Sequence, residues 1–158
     1  MTETNWRCAW RTGAVLLALV AGTNAHGADW IGAPEGTLEQ QDIERLLNQQ
    51  PLAAGENIRV LPLQKNERSA HALVQVRDRE PLHYHADSDI TVFILRGQGR
   101  IQIAERTRPA RAGDVIHIPR GVVHAYINAG PEIGVALVVY SPPPGPDDRV
   151  LVPTPAGK

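Results

Sequence analysis

Cysteine is almost missing from this chain. Cys8 is the only one in 158 residues, and it precedes an N-terminal apolar run that we expect to be removed during maturation. The mature protein can then form no internal disulfide, and it has no thiol nucleophile and no thiolate metal ligand. Thiol chemistry is therefore excluded from its function.

Strong charge of one sign is also missing. The 16 lysines and arginines nearly balance the 17 aspartates and glutamates, and the formal net charge is -1 at pH 7. The sequence therefore offers no basic surface for nucleic acid or for an anionic membrane. It also lacks internal repeats and a glycine-rich phosphate loop, so a nucleotide or phosphate ligand is not indicated. We expect a small-molecule ligand instead.

No hydrophobic run reaches the length of about 20 apolar residues that spans a bilayer. The N-terminal run, residues 14–21, follows Arg7 and Arg11 and leads into small residues. This order is typical of a secretory signal peptide with cleavage after Ala25, or as late as Ala28. A membrane anchor is the alternative, and the shortness of the run argues against it. We therefore expect a periplasmic or secreted protein with no membrane contact after cleavage.

Proline and glycine are abundant, with 13 and 14 residues. This composition favours many short strands joined by tight turns over long helices. A chain of this length with 42% hydrophobic residues holds one domain. The predicted strands are 58–63, 69–77, 82–85, 91–95, 100–104, 114–118, 124–128 and 133–141. Eight strands at hairpin-like spacing predict an all-β barrel or jelly roll.

Three further segments flank the predicted barrel. The predicted divisions are a signal peptide at 1–25, an arm with one short helix at 29–56, the barrel at 57–141 and a proline-rich tail at 142–158. Thr37 is the expected N-cap of the helix, with Gln40 three residues later, and Pro51 is expected to end it. The tail is too stiff for a central strand, so we expect it to lie across the barrel exterior or a partner subunit.

Three histidines in the strand region predict a metal site. His83 and His85 are one residue apart on a strand, so their side chains point to the same face. His124 comes 39 residues after His85, beyond a turn at Pro119 and Gly121. It can meet the pair only if the sheet folds back on itself. The three imidazoles then hold one divalent metal ion and leave positions open for a ligand.

The segment from Gly113 to Asn128 resembles the second cupin motif, G-x5-P-x-G-x2-H-x3-N. The fixed positions of that motif are matched by Gly113, Pro119, Gly121, His124 and Asn128. The first motif, G-x5-H-x-H-x3,4-E-x6-G, is matched in part, by His83, His85 and Gly97. The resemblance covers residues 58–141. It implies a single cupin jelly-roll β-barrel with the three histidines as metal ligands.

Two positions depart from the family pattern. The first glycine falls on Arg77, and the metal-binding glutamate, counted back from Gly97, falls on Ile90. Asp89 is one residue away. If Ile90 faces the interior, strand alternation turns Asp89 outward, unless a bulge at residues 88–89 turns its carboxylate back in. The predicted ligand set is therefore either three histidines, or three histidines with Asp89.

The ligand set influences which metal the site favours. Three neutral imidazoles leave the ion its full charge, which suits an anionic or bidentate ligand or a water to be activated. A carboxylate ligand would favour Mn²⁺ or Fe²⁺, whereas folding after export would favour Zn²⁺ or Cu²⁺. The candidate cofactor is therefore one ion of Zn, Mn, Fe, Cu or Ni.

His117 lies two residues before Pro119 on the strand that leads to His124, so it is predicted either as the catalytic acid–base residue or as a hydrogen-bond donor behind the metal ligands. A structural histidine bonded to backbone is the alternative. Tyr126 has the phase of His124, so it either lines the cavity or packs in the core. Tyr84 has the opposite phase to the histidine pair and is expected on the outer face.

Three functions fit these features. The first is a metal-dependent enzyme on a small anionic or oxygen-rich molecule, either a dioxygenase-like oxidoreductase or an isomerase. The second is an exported protein that binds a small molecule or metal without catalysis, and the third is a metal-free structural cupin. Fold analogy does not choose between them, because cupins include enzymes of several classes and non-enzymatic binders. The resemblance also implies a homodimer, since many small cupins pair through their barrels.

Overall fold

The computed structural model describes residues 29–32 and 39–153. The predicted signal peptide lies outside the described residues, as do Thr37 and residues 154–158. The elements in chain order are β1 (Asp29–Gly32), β2 (Glu39–Asp42), α1 (Ile43–Gln49), β3 (Ile58–Lys65), β4 (Ala70–Val76), β5 (His83–His85), β6 (Asp89–Arg96), β7 (Gln98–Ile103), β8 (Arg106–Arg111), β9 (Val115–Ile118), β10 (His124–Asn128), β11 (Gly134–Ser141) and β12 (Arg149–Leu151). No helix within this range is long and apolar enough to cross a bilayer.

Ten of these strands form two antiparallel sheets of five. The first sheet has the order β3-β4-β11-β6-β9, and the second has the order β12-β5-β10-β7-β8. Residues of both sheets line one cavity, so the sheets face each other across it. Among the described strands none belongs to both sheets, and the jelly roll is therefore not a continuously hydrogen-bonded barrel. The predicted all-β fold with one short helix is confirmed.

The core has two layers, because successive strand residues point to opposite faces of a sheet. Between the sheets lies a cluster of branched aliphatic side chains that includes Val74, Val76, Ile90, Ile94, Ile101, Ile118 and Val138. On the outer face of the first sheet, Ile43 and Leu47 of α1 pack with Leu61 and Leu73. Full burial of such a side chain contributes about 1.5–3 kcal/mol. The sheet that forms one wall of the cavity is thus packed on both faces.

The helix begins later than the sequence predicts. Asp42 is its N-cap, and the Asp42 carboxylate accepts a hydrogen bond from the N–H of Arg45 at 3.1 Å. Residues 39–42 form β2 and pair with β1, so the predicted N-cap at Thr37 is wrong. Residues 39–42 pair with β1 instead of forming the first turn of the helix. The sequence around Thr37 does not reveal this pairing with a separate segment.

Four strands lie where the sequence predicts none: β1, β2, β8 and β12. β8 contains Pro109 and lies in the gap between the predicted strands 100–104 and 114–118. β8 is an edge strand, and an edge strand tolerates proline because only half of its N–H groups face a neighbour. β12 comes from the proline-rich tail. Instead of lying across the exterior, residues 149–151 pair with β5 and extend the second sheet.

Candidate metal centre

Strands β5 and β10 place the three predicted ligands together. His124 lies directly opposite His83 in the antiparallel register, and His85 follows two residues along the same face. The ring centroids are 4.3 Å apart for His83 and His124, 5.4 Å for His83 and His85, and 5.6 Å for His85 and His124. One ring nitrogen of each histidine lies within 4.8 Å of the other two. The sheet therefore folds back as the histidine spacing predicts.

The Nδ1 atom of each ring is held by an oxygen that can only accept. His83 Nδ1 donates to the carbonyl of Pro81 at 2.9 Å, and His124 Nδ1 donates to the carbonyl of Val122 at 2.9 Å. In both cases the acceptor comes two residues earlier in the chain. A neutral imidazole with its hydrogen on Nδ1 presents a lone pair on Nε2. Two of the rings are thus set as nitrogen donors by local backbone.

Asp148 holds the third ring. His85 Nδ1 lies 2.6 Å from Asp148 Oδ2, while Asp148 Oδ1 accepts from the N–H groups of Asp87 at 2.7 Å and Ser88 at 3.0 Å. Asp148 is only 1% exposed. Burial alone raises its pKa, but these hydrogen bonds outweigh burial and the pKa of Asp148 is lowered. The carboxylate stays ionised and fixes the Nδ1–H tautomer of His85.

Burial keeps two of the imidazoles neutral. It lowers the pKa of His83 to about 3, with a smaller contribution from the nearby His124. Burial likewise lowers the pKa of His124 to about 4. A metal binds the neutral form of histidine. These two side chains therefore need no deprotonation before they bind a metal ion at neutral pH.

Asp89 does not join the histidines. Its carboxylate Oδ1 accepts from the backbone N–H of Arg120 at 2.9 Å and from Arg120 Nε at 3.1 Å. These hydrogen bonds lower the pKa of Asp89. Ile90, at the position of the family's glutamate, lines the cavity, so strand alternation turns Asp89 outward. Of the two predicted ligand sets, the structure assembles the one with three histidines.

His117 lies on the wrong face for the predicted catalytic role. It is exposed and pairs with Thr91 across β6 and β9, and its Nδ1 lies 3.3 Å from Thr91 Oγ1. Its neighbours Ile116 and Ile118 line the cavity instead. Because strand side chains alternate, the His117 ring points away from any molecule held between the sheets.

The cavity between the sheets has a volume of about 230 Å³. The histidines lie in its wall with Tyr140, which packs edge-on to His85 at 5.3 Å between ring centroids. Tyr126 also lines the cavity and packs against the core, so both predicted placements of this ring hold. Most of the remaining lining consists of isoleucine and valine side chains. The cavity is therefore apolar apart from a few polar groups.

Three charged residues line the cavity, Glu80, Arg96 and Arg149, and none of them is predicted from the sequence. Glu80 is the one carboxylate among the described lining residues, and Arg149 contributes a guanidinium from β12. Glu80 Oε2 accepts from the N–H of Tyr126 at 3.0 Å, and burial raises the pKa of Glu80. Neither Glu80 nor Arg149 belongs to a recognisable motif. The one local signal for Arg149 is the short β-prone run that follows it.

The histidine cluster fits a divalent transition metal. All three Nδ1 atoms are engaged, which leaves Nε2 of each buried ring for a metal ion. Three neutral nitrogen donors suit zinc, copper, iron or nickel better than magnesium or calcium, which prefer oxygen. This donor set leaves further coordination positions for a ligand or water.

This chain is similar to known proteins in both sequence and fold. The cupin domain family model matches residues 70–140. An uncharacterized protein of Aquifex aeolicus (strain VF5) is 33% identical over 114 residues, which are 72% of this chain and 93% of the relative. The structure is also similar to solved structures of small proteins.

The TT1209 protein from Thermus thermophilus superimposes with a TM-score of 0.56 at 24% identity, over 66% of this chain and 97% of that one. A protein with a double-stranded β-helix domain from Klebsiella pneumoniae gives a TM-score of 0.59 at 17% identity, over 68% of this chain and 95% of that one. The sequence motifs, the two facing sheets and these likenesses agree. The chain belongs to the cupin domain family.

Proposed function

We propose that the protein is a metal-dependent enzyme that acts on a small molecule bound between its two sheets. The observation that carries the proposal is the orientation of the three histidines, whose Nδ1 atoms are all occupied by acceptors. Such an arrangement is typical of imidazoles that bind metal through Nε2. A histidine that only fills the core does not require two further histidines beside it, so packing alone does not explain this buried cluster.

The residues divide into three roles. His83, His85 and His124 would hold the ion, which when bound supplies Lewis acidity. Asp148 keeps His85 in the donor tautomer and in position. The apolar walls exclude water from the ligand, which strengthens the electrostatic interactions within the cavity.

Glu80 takes the acid–base role in place of His117. Its Oε2 is held by the N–H of Tyr126, and its Oε1 makes no hydrogen bond to a described residue. Burial raises its pKa, which brings a carboxyl group closer to the pKa at which proton transfer near neutral pH is efficient. Glu80, which lines the cavity, can therefore hold or release a proton at Oε1.

Elemental analysis of the purified mature protein tests the metal site. We expect roughly one equivalent of divalent metal per chain, as for a site with three protein ligands. His124→Ala should lose it, and His117→Ala, which alters a histidine on the outer face, should keep it. A wild-type protein that holds no metal even after reconstitution with Zn²⁺, Mn²⁺ or Fe²⁺ would contradict the proposal.

A binding protein without catalysis is the second candidate, favoured by the apolar lining of the cavity. Both functions predict the same metal content. Incubation of the metal-loaded protein with a small-molecule extract of its own compartment, followed by mass spectrometry, separates them. An enzyme converts a molecule of the extract into another, and Glu80→Gln slows that conversion. A binding protein retains its ligand unchanged.

We also propose that the protein is exported. The support is the sequence order of Arg7 and Arg11, a short apolar run and small residues at Ala25 and Ala28. Expression of the full-length chain in a bacterium with two membranes, followed by intact mass of the periplasmic product, tests it. The mature chain should begin after Ala25 or Ala28, and an uncleaved cytoplasmic product would contradict export.

A further inference from the structure

We propose that the ligand of this cavity is a small monocarboxylate with an apolar body, and that Arg149 binds its carboxylate beside the histidine cluster. The inference rests on the proposed function, because it names the substrate class of the same site. Two observations support it: the Arg149 guanidinium lies beside the histidines, and the cavity wall is apolar.

Strand pairing places Arg149 next to the histidines. Arg149 lies directly opposite His85 in the pairing of β12 with β5. The flanking bonds run from Val152 N to Leu82 O at 2.8 Å and from Ala86 N to Asp148 O at 2.7 Å. Arg149 and His85 are therefore a non-hydrogen-bonded pair, the closer kind, with Cα atoms about 4.5 Å apart. Directly opposite residues share a face, so both side chains point toward the cavity.

The guanidinium of Arg149 is not engaged by the rest of the described chain. It makes no hydrogen bond to a described residue and has no described carboxylate within 4.0 Å, although Glu80 lines the same cavity. Arg96, the other arginine of the lining, pairs with Glu44 of α1 instead. A guanidinium has five N–H donors in a planar fork that matches a carboxylate. Arg149 is therefore an exposed cation at the edge of the cavity, with donors that no described residue uses.

Arg149 has a second possible role, as the counter-ion of Glu80. Arg149 does lower the pKa of Glu80, but burial outweighs it and the net direction is upward. A dedicated counter-ion would be expected to form a close ion pair, which lowers the pKa of a carboxyl group. The pairing of Arg149 with an external anion is the arrangement that uses its free donors.

The wall behind Arg149 is suited to an apolar body. Along β11 the lining extends from Tyr140, beside His85, through Val138 and Ala136 to Gly134, a distance of about 20 Å at the rise of a β-strand. Neighbouring strands of the same sheet add the branched aliphatic side chains of Val74, Val76, Val92, Ile94 and Ile116, and Ile101 adds another from the opposite sheet. Such walls offer no hydrogen bonds to hydroxyl groups, so burying a sugar or a polyol there would leave its hydroxyls unpaired.

Three six-carbon probes separate charge from apolar character. We would titrate hexanoate, gluconate and hexan-1-ol into metal-free and Zn²⁺-loaded protein, and follow the methyl signals of isoleucines by NMR. Gluconate keeps the carboxylate but carries hydroxyls, and hexan-1-ol keeps the chain but not the charge. We expect hexanoate to bind about tenfold more tightly than either, with shifts at the cavity isoleucines. Hexan-1-ol lacks the charge-assisted bidentate pair, which contributes at least one factor of ten, and gluconate would leave hydroxyls unpaired at the apolar wall.

Variants then test the role of Arg149. Arg149→Met should weaken hexanoate about tenfold, and Arg149→Lys should restore part of the affinity by keeping the charge without the fork. Arg100→Met is the matched control, because Arg100 is exposed on the outer face of the same sheet. An unchanged hexanoate affinity in both folded Arg149 variants would overturn the inference, as would gluconate binding as tightly as hexanoate.

The two proposals fail in different ways. Metal content is measured on the same samples after reconstitution with Zn²⁺, Mn²⁺ or Fe²⁺. Arg149-dependent binding of hexanoate to a protein that holds none of these ions would support this inference and contradict the metal-dependent function. A protein that holds one Zn²⁺ but shows no preference for hexanoate would contradict this inference and leave the proposed function standing.

Discussion

At the scale of single residues, the site depends on which oxygen each histidine ring faces. His83 and His124 use carbonyls two residues earlier, so their orientation is set within a tripeptide. His85 depends on Asp148, which is 63 residues away in sequence. Both residues are almost fully buried, so water cannot replace either partner. Asp148 is therefore the group through which the far end of the chain acts on the histidine cluster.

Asp148→Asn should change the tautomer of His85. The asparagine carbonyl would accept the two N–H bonds from Asp87 and Ser88, which leaves its NH₂ group facing the ring. His85 Nδ1 then has to accept, and its hydrogen moves to Nε2, where it blocks metal binding. We expect a roughly 10- to 100-fold weaker Zn²⁺ affinity, of the size typical for loss of such a partner.

A chelator competition assay measures the affinity, and ¹⁵N NMR of the imidazoles reads the tautomer directly. Asp147→Asn is the control, because Asp147 is the exposed neighbour. Wild-type Zn²⁺ affinity in Asp148→Asn, or an unchanged tautomer of His85, would contradict the role assigned to Asp148.

Acid should destabilise the metal-free protein. His83 and His124 have pKa values lowered to about 3 and 4, so between pH 6.5 and 4 the unfolded chain binds more protons than the native state. Stability is then present above pH 6.5 and is lost as the pH falls, by up to about 1.4 kcal/mol per pH unit for each histidine. Glu80 acts in the opposite direction, because its raised pKa makes the native state bind more protons.

Urea unfolding at pH 7 and pH 5 measures this loss. The double variant His83→Gln with His124→Gln should lose less stability over the interval, and Glu80→Gln should lose more. If the double variant and the wild type lose the same amount, the two histidines are not the source of the pH dependence.

At the scale of elements, β12 is a short strand with a large effect. It has three residues, yet its pairing with β5 places Asp148 behind His85 and Arg149 beside it. Both residues lie outside residues 70–140, the part that the family model matches. The segment that places Asp148 and Arg149 beside His85 therefore lies C-terminal to the part of the chain that the family model matches.

Two proline substitutions test this pairing. The flanking bonds of Ala86 and Val152 make Val150 and Tyr84 a hydrogen-bonded pair, whereas the N–H of Leu151 points away from β5. Val150→Pro should detach β12 and weaken Zn²⁺ binding at least about tenfold through loss of Asp148. Leu151→Pro removes an N–H that β5 does not use, so it should bind Zn²⁺ like the wild type. Equal Zn²⁺ affinity of the two variants would show that β12 does not position the site.

At the scale of the whole molecule, the site joins segments that are far apart in sequence. β5, β10 and β12 meet at the histidines, and the first sheet closes the cavity over them. A ligand that binds only this assembled state stabilises it by mass action. The oligomeric state also belongs to this scale, and the homodimer that the family resemblance implies stays a prediction.

Zn²⁺ should therefore raise the thermal midpoint of unfolding. At 100 times its dissociation constant a ligand adds about 2.7 kcal/mol, which for a domain of this size corresponds to an increase of roughly 5–15 °C. Differential scanning fluorimetry with and without Zn²⁺ measures the shift. His124→Ala should show almost none, and His117→Ala should show the wild-type shift. Equal shifts in the two variants would place the bound Zn²⁺ elsewhere.

The sequence alone was enough for the features that depend on period and local chemistry. Alternation placed His83 and His85 on one face, turn residues separated the strands, and the spacing to His124 required a sheet that folds back. The family resemblance added the jelly roll. Alternation also left two ligand sets open, the three histidines with or without Asp89, and it did not decide between them.

The tertiary structure decided what depends on distant partners. Asp89 turned outward to Arg120, His117 lay on the outer face, and Glu80 and Arg149 entered the cavity. Asp148 lies beside His85 only because β12 pairs with β5. Local sequence carries the period of a strand, but not the identity of its neighbour. The three clustered histidines could therefore be predicted from the sequence, while the groups that surround and orient them required the assembled fold.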